Sequence, residues 1–109
     1  MSTTADEIKE RNKQIAATIY NQLSHGTMRM LGAYDIFYDG PALSFKIRGS
    51  KKWKHIKIAL NSMDTYDLTF STWRKVGYEE KLTQHKIEGI HVEQLHEIIE
   101  RETGLYTKL

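Results

Sequence analysis

Between Leu43 and Phe70 the apolar residues fall on every second position in three separate runs. Leu43, Phe45 and Ile47 alternate with Ser44, Lys46 and Arg48, and Ile56, Ile58 and Leu60 alternate with His55, Lys57 and Ala59. Tyr66, Leu68 and Phe70 alternate with Asp67, Thr69, Ser71 and Trp73. A period of two belongs to a strand with one face in the core and one in water, whereas a helix would scatter it around its circumference. Gly49-Ser50 joins the first two runs as a hairpin, and Asn61-Ser62-Met63-Asp64 makes a tight connection to the third. An antiparallel sheet with one covered face organises the chain.

The flanks supply the cover. Ile8, Ile15, Ala16, Ile19 and Leu23 draw an apolar stripe on a helix over residues 5–25, with Thr4 and Glu7 as a capping box and Gly26 as a left-handed stop. At the other end Val92, Leu95, Ile98 and Ile99 share one face of a helix over residues 91–103, closed by Gly104 and Leu105. Met28 to Leu31 and Tyr34 to Tyr38 read as a first strand broken near Gly32, followed by a turn at Asp39-Gly40-Pro41. A weaker strand over 81–88 carries Leu82 and Ile87 on opposite parities, the mark of a bulge or of a misplaced boundary. The expectation is a single α+β domain over residues 1–109: an antiparallel meander of four to five strands with N-terminal and C-terminal helices on one face.

With 109 residues, no cysteine and one proline, the chain is long enough for one core and has neither disulfides nor thiolate metal ligands. Its polar start, MSTTADEIKERNKQ, is unlike a signal peptide, and no apolar run of about 18 residues could span a membrane. Charge is segregated. No acidic residue lies between Asp39 and Asp64, where Lys46, Arg48, Lys51, Lys52, Lys54 and Lys57 are concentrated; against a net charge of +2, the rest of the chain sums to −4. A one-signed patch steers oppositely charged partners.

The strand parities gather part of this charge on one face. If Ile47 and Ile56 point inward, then Lys46, Arg48, His55 and Lys57 point outward, and Trp53 and Trp73 share that parity. Cations neutralise phosphates and flat rings stack on bases, so these residues with Lys51, Lys52 and Lys54 form a candidate binding surface. Lysines at a hairpin tip also guard a sheet edge, which explains the same residues without a ligand. Catalysis finds no foothold: there is no nucleophile elbow and no glycine-rich phosphate loop. His91 and His96 are five apart, so they do not share a helix face for zinc, and Asp35, Asp39, Asp64 and Asp67 suit turns. An acid-base pair of His55 with Asp67 would require their strands to bring them together. No catalytic residue, metal or cofactor is expected.

The run LNSMDTYDLTF, the terminal EGIHVEQLHEIIERETGLYTKL and Gly32-Ala33-Tyr34 together resemble a group of small bacteriophage and prophage proteins. That group shares an amphipathic N-terminal helix, an LN-x-MDTYD-x-x-F hairpin and a C-terminal helix ending in Gly-Leu-Tyr-Thr. No activity is attached to it, so it supplies no catalytic or binding residue. What the resemblance implies is a protein of the host bacterium's cytoplasm that acts by stoichiometric binding, foremost to a host protein as an inhibitor of a defence or nucleic-acid-processing machine, with Trp53, Trp73 or Tyr106 as anchors. Two alternatives stand beside it: direct binding of nucleic acid through the basic hairpin 46–57, and a small-nucleotide sponge with a pocket between helix and sheet. A homodimer sharing the stripe of the first helix is the remaining open question.

Overall fold

The computed structural model describes residues 5–105. It is an α+β fold: helices α1 (Ala5–Leu23) and α2 (His25–Leu31), strands β1 (Tyr34–Tyr38), β2 (Ala42–Lys46), β3 (His55–Leu60), β4 (Tyr66–Val76) and β5 (Glu79–Ile90), then a short 3-10 turn (Val92–Gln94) leading into α3 (Leu95–Thr103). The strands form one antiparallel sheet in the order β1-β2-β3-β4-β5. The residues predicted to point inward do so: Phe45, Ile56, Ile58, Leu68 and Phe70 are fully buried beneath Ile19, Leu23, Leu95 and Ile99. Tyr66 closes this layer by donating its hydroxyl to Gln22 Oε1 of α1 at 2.6 Å.

The N-terminal region departs from expectation. Met28 to Leu31, predicted as strand, is the end of α2. The three-residue spacing of Met28 and Leu31 buries both on one helical face and leaves Met30 exposed, which a strand's alternation would not do. The stop lies at Ser24, whose φ of 77° breaks the helix and whose Oγ accepts from Thr27 N; Gly26 continues as helix. Gly32, at φ 66°, ends α2 in the left-handed conformation. Thr4 of the expected capping box lies outside the described residues.

Only the second half of α1 lies on the sheet. Ile19 and Leu23 are buried, Ile15 is partly so, and Ile8 is exposed where the helix overhangs Pro41 and Leu60. At the other side, β5 is longer than the sequence indicated, and the bulge expected between Leu82 and Ile87 is absent: the register is unbroken there, Leu82 points to the opposite face from Ile87 and is exposed, and the shift comes between Ile87 and Ile90. Strand β4 pairs with β3 only from Tyr66 to Ser71, so the remainder of β4 and its partner residues in β5 leave the sheet as a two-stranded ribbon turning at Gly77 and Tyr78.

Candidate functional site

The basic connection between β2 and β3 is fastened to the body. Arg48 N and Gly49 N donate to Leu31 O at the end of α2, and Ser50 Oγ donates to Thr103 O at the end of α3. The same Oγ accepts from the backbone N–H groups of Lys52 and Trp53, folding the connection into a compact turn. This geometry overturns the expected exposure of Trp53. Its ring is 4% exposed, lies 6.0 Å from Phe70 and stacks at 6.3 Å on His85. Strict alternation fails here because residues 47–54 are not strand, and the turn directs the indole back into the core. Trp53 Nε1 is buried without a hydrogen-bond partner among the described residues.

The cations around this turn remain at the surface but divide into two groups. Lys51 and Lys52 are exposed on the turn, Lys52 Nζ lying 5.6 Å from the Trp53 ring. Lys54 reaches across to β4, donating to Trp73 O at 2.9 Å with its Nζ 5.7 Å from the partly exposed Trp73 ring. Arg48 lies over Tyr34, its guanidinium carbon 4.3 Å from the ring centroid. Lys46, His55 and Lys57 belong to the face of the sheet opposite the helices.

Pairing of the strands arranges that open face into rows. One row runs Tyr34, Lys46, His55, Ser71, Gln84 across all five strands; the next runs Phe37, Ser44, Lys57, Thr69, Lys86. Neither row contains a carboxylate. His55 and Lys57 occupy the centre, Ser44, Ser71 and Thr69 stand beside them, and the aromatic rings of Tyr34 and Phe37 stand at the β1 end, with Phe37 52% exposed. Trp73, opposite Leu82, continues the surface towards the ribbon. Asp35 approaches Lys46 at 3.4 Å and Asp39 approaches Lys57 at 3.1 Å from the β1 edge. Such exposed pairs contribute about 0–1 kcal/mol and yield readily to a better anion.

Within these rows Ser44 Oγ and His55 Nε2 are 2.6 Å apart. The contact satisfies a hydroxyl that is 2% exposed, which is too enclosed for Ser44 to meet a substrate as a nucleophile. Burial, followed by the positive charges of Lys46 and Lys57, holds the His55 pKa below the ordinary imidazole value, only partly opposed by Asp39. His55 is therefore neutral near pH 7. The postulated His55 and Asp67 pair does not form: His55 is opposite Ser71 and Asp67 is opposite Ala59. Asp67 Oδ1 instead accepts from Asn61 Nδ2 and Gly89 N.

Asn61 also accepts from the N–H groups of Met63 and Thr65, so the LNSMDTYD stretch is a self-bonded turn between β3 and β4. A cleft of about 530 Å³ lies under the overhang of α1, lined by Ile8, Arg11, Ile15, Pro41, Leu60 and Asp64 among others. One arginine set against one aspartate gives it no preference for a polyphosphate. Among the described residues no cluster of histidine, aspartate and glutamate forms a metal site, and no helix is long and apolar enough to cross a membrane.

Sequence reasoning placed Lys46, His55, Lys57 and Trp73 on one face and the structure brings them together; Lys51, Lys52 and Trp53 lie apart from them. It missed Tyr34, Phe37 and Lys86. The first two depend on a bulge at Asp35 and Ile36 that resets the β1 register, and Lys86 lies on a strand that is exposed on both faces and so carries no alternation to read. Tyr106 is outside the described residues. No protein-family profile, curated protein or solved structure matches the chain.

Proposed function

We propose that the protein is a non-enzymatic binding protein that takes a single strand of nucleic acid on the open face of its sheet. The observation that carries this reading is the pair of carboxylate-free rows crossing all five strands: Lys57 and Lys86 alternate with Ser44 and Thr69 in one, Lys46 stands beside His55 in the other, and the rows begin at Phe37 and Tyr34. A phosphodiester backbone can follow Lys46, Lys57 and Lys86 across the face, while unpaired bases stack on Phe37, Tyr34 and Trp73. The exposed ion pairs to Asp35 and Asp39 are exchanged for phosphates at little cost. A duplex, with its bases already stacked, gains only the charge contacts.

Oligonucleotide titration at low and near-physiological salt tests this. Single strands should bind more tightly than duplexes, and replacing Lys46, Lys57 and Lys86 with alanine should lower the salt slope by about 2, at about 0.7 for each phosphate that is no longer neutralised. Replacing Lys51 and Lys52 should change it far less. Absence of binding at low salt, or binding indifferent to the three open-face lysines, overturns the reading.

A second reading has its own support. A phage-type accessory protein that docks on a host protein in the bacterial cytoplasm and inhibits it would use the ribbon, where Val76, Tyr78 and Leu82 stand exposed beyond the sheet. Tyrosine is among the usual anchors of protein interfaces, and Tyr78 stands at the ribbon tip. Affinity for such a partner would depend weakly on salt and be abolished by truncating Tyr78.

A further inference from the structure

The two edges of the sheet are built in opposite ways. Strand β1 is five residues long, carries a bulge at Asp35, whose φ is 50°, and is followed by Pro41; each of these features discourages strand addition. Strand β5, twelve residues long, pairs with β4 alone and contains no proline. From Glu79 to Ile87 its register against β4 is unbroken, the shift coming only between Ile87 and Ile90. Over Glu79 to Ile87 its outer backbone groups therefore form a long ladder without the bulge or proline that protects β1.

Charge identifies what pairs with that ladder. We propose that β5 pairs antiparallel with β5 of a second copy of this chain about a twofold axis at Thr83. An axis perpendicular to the sheet keeps every residue on its own face, so only residues of equal parity can oppose each other. Centred on Thr83, the middle of the unbroken stretch, the pairing sets Glu80 against the partner's Lys86 and repeats that opposite-charge contact on the other side of the axis. Thr83 meets its own symmetry mate, a favourable cross-strand pair, and Leu82 meets Gln84. Lys81 meets His85, which already lies 3.9 Å from Glu102, so a carboxylate is close to the incoming ammonium. Moving the axis to Gln84 would set Glu80 against Glu88, and moving it to Leu82 would leave Glu80 opposite Gln84. Of these three central alignments, the one centred on Thr83 is the one in which the edge charges attract. The same axis leaves both open faces on one side of a continuous ten-stranded sheet, twice the five strands of one copy. The interface itself does not depend on what those faces bind.

Sedimentation equilibrium without nucleic acid tests the pairing across a micromolar concentration series, with thermal unfolding of each variant to verify folding. The wild type should dimerise. Glu80→Lys should weaken the dimer by about tenfold, because two opposite-charge contacts become like-charge contacts, and the double exchange Glu80→Lys with Lys86→Glu should restore it. Since the chain has no cysteine, single substitutions also report the register: under oxidation Thr83→Cys should form a covalent dimer rapidly, and Leu82→Cys should not. A wild type that stays monomeric overturns the proposal, as does a folded double exchange that fails to recover the dimer, or faster crosslinking by Leu82→Cys.

Discussion

Two hairpins carry the cations and large aromatics that suggested a binding site, and they behave in opposite ways. The connection 47–54 is held at both ends, to Leu31 O through Arg48 N and Gly49 N and to Thr103 O through Ser50 Oγ, and its tryptophan is a core residue. Beyond Trp73, whose carbonyl takes a bond from Lys54, the ribbon is held only by its own ladder among the described residues, and Val76, Tyr78 and Leu82 face water. The difference shows that a charged, aromatic turn does not by itself indicate a free surface. Its backbone hydrogen bonds do: a turn bonded to two helices is part of the fold, and one bonded only to itself is available to a partner.

The largest break in that comparison should come from Trp53→Ala, which is expected to cost about 3–5 kcal/mol in denaturant unfolding by emptying a site between Phe70 and His85. Tyr78→Ala, at the ribbon tip, should stay within about 0.5 kcal/mol of wild type. Comparable losses of stability from the two would erase the distinction. Ser50→Ala comes next, at about 1–3 kcal/mol, because one hydroxyl serves Thr103 O and two backbone donors. Trp53→Phe sharpens the point further: its smaller ring fills the site less completely, but it removes a buried N–H that has no partner, so it should cost well under half as much as the alanine variant in the same unfolding experiment.

A smaller effect concerns His55. Its folded pKa lies below its unfolded value near 6.5, so between those two values the unfolded chain binds more protons and stability rises with pH. The contribution is complete above about pH 6.5 and disappears as pH falls through that window. His55→Gln should flatten that segment of the stability profile measured by thermal unfolding, and an unchanged slope would count against the burial. Smallest of all, replacing Lys51, Lys52 and Lys54 together with alanine should leave stability nearly unchanged, since their side chains are exposed. A loss of several kcal/mol would make the cations, and not only the backbone of the turn, structural.

Most of the sheet was legible because alternation over Leu43 to Phe70 is a direct imprint of one wet and one dry face. Register followed wherever the alternation was unbroken, which is why Lys46, His55 and Lys57 were correctly grouped. It failed at the β1 bulge, where one inserted residue inverts every following parity and hid Phe37, and on β5, which is exposed on both faces up to Lys86 and so shows no alternation. The stretch Met28 to Leu31 was ambiguous for another: a short apolar run fits helix or strand, and only packing of Met28 and Leu31 beneath α1 decides between them.

What the sequence determined by itself is therefore what periodicity encodes locally: the sheet's covered face, the flanking helices, the turns at Gly40 and Gly104, and the segregation of charge into residues 40–63. The tertiary structure decided what depends on neighbours distant in the chain. Ser50 meets Thr103, Trp53 meets Phe70 and His85, and Tyr34 and Phe37 join rows ending at Gln84 and Lys86. Periodicity reports which way a side chain points relative to its own strand, and only the folded packing determines what it then touches.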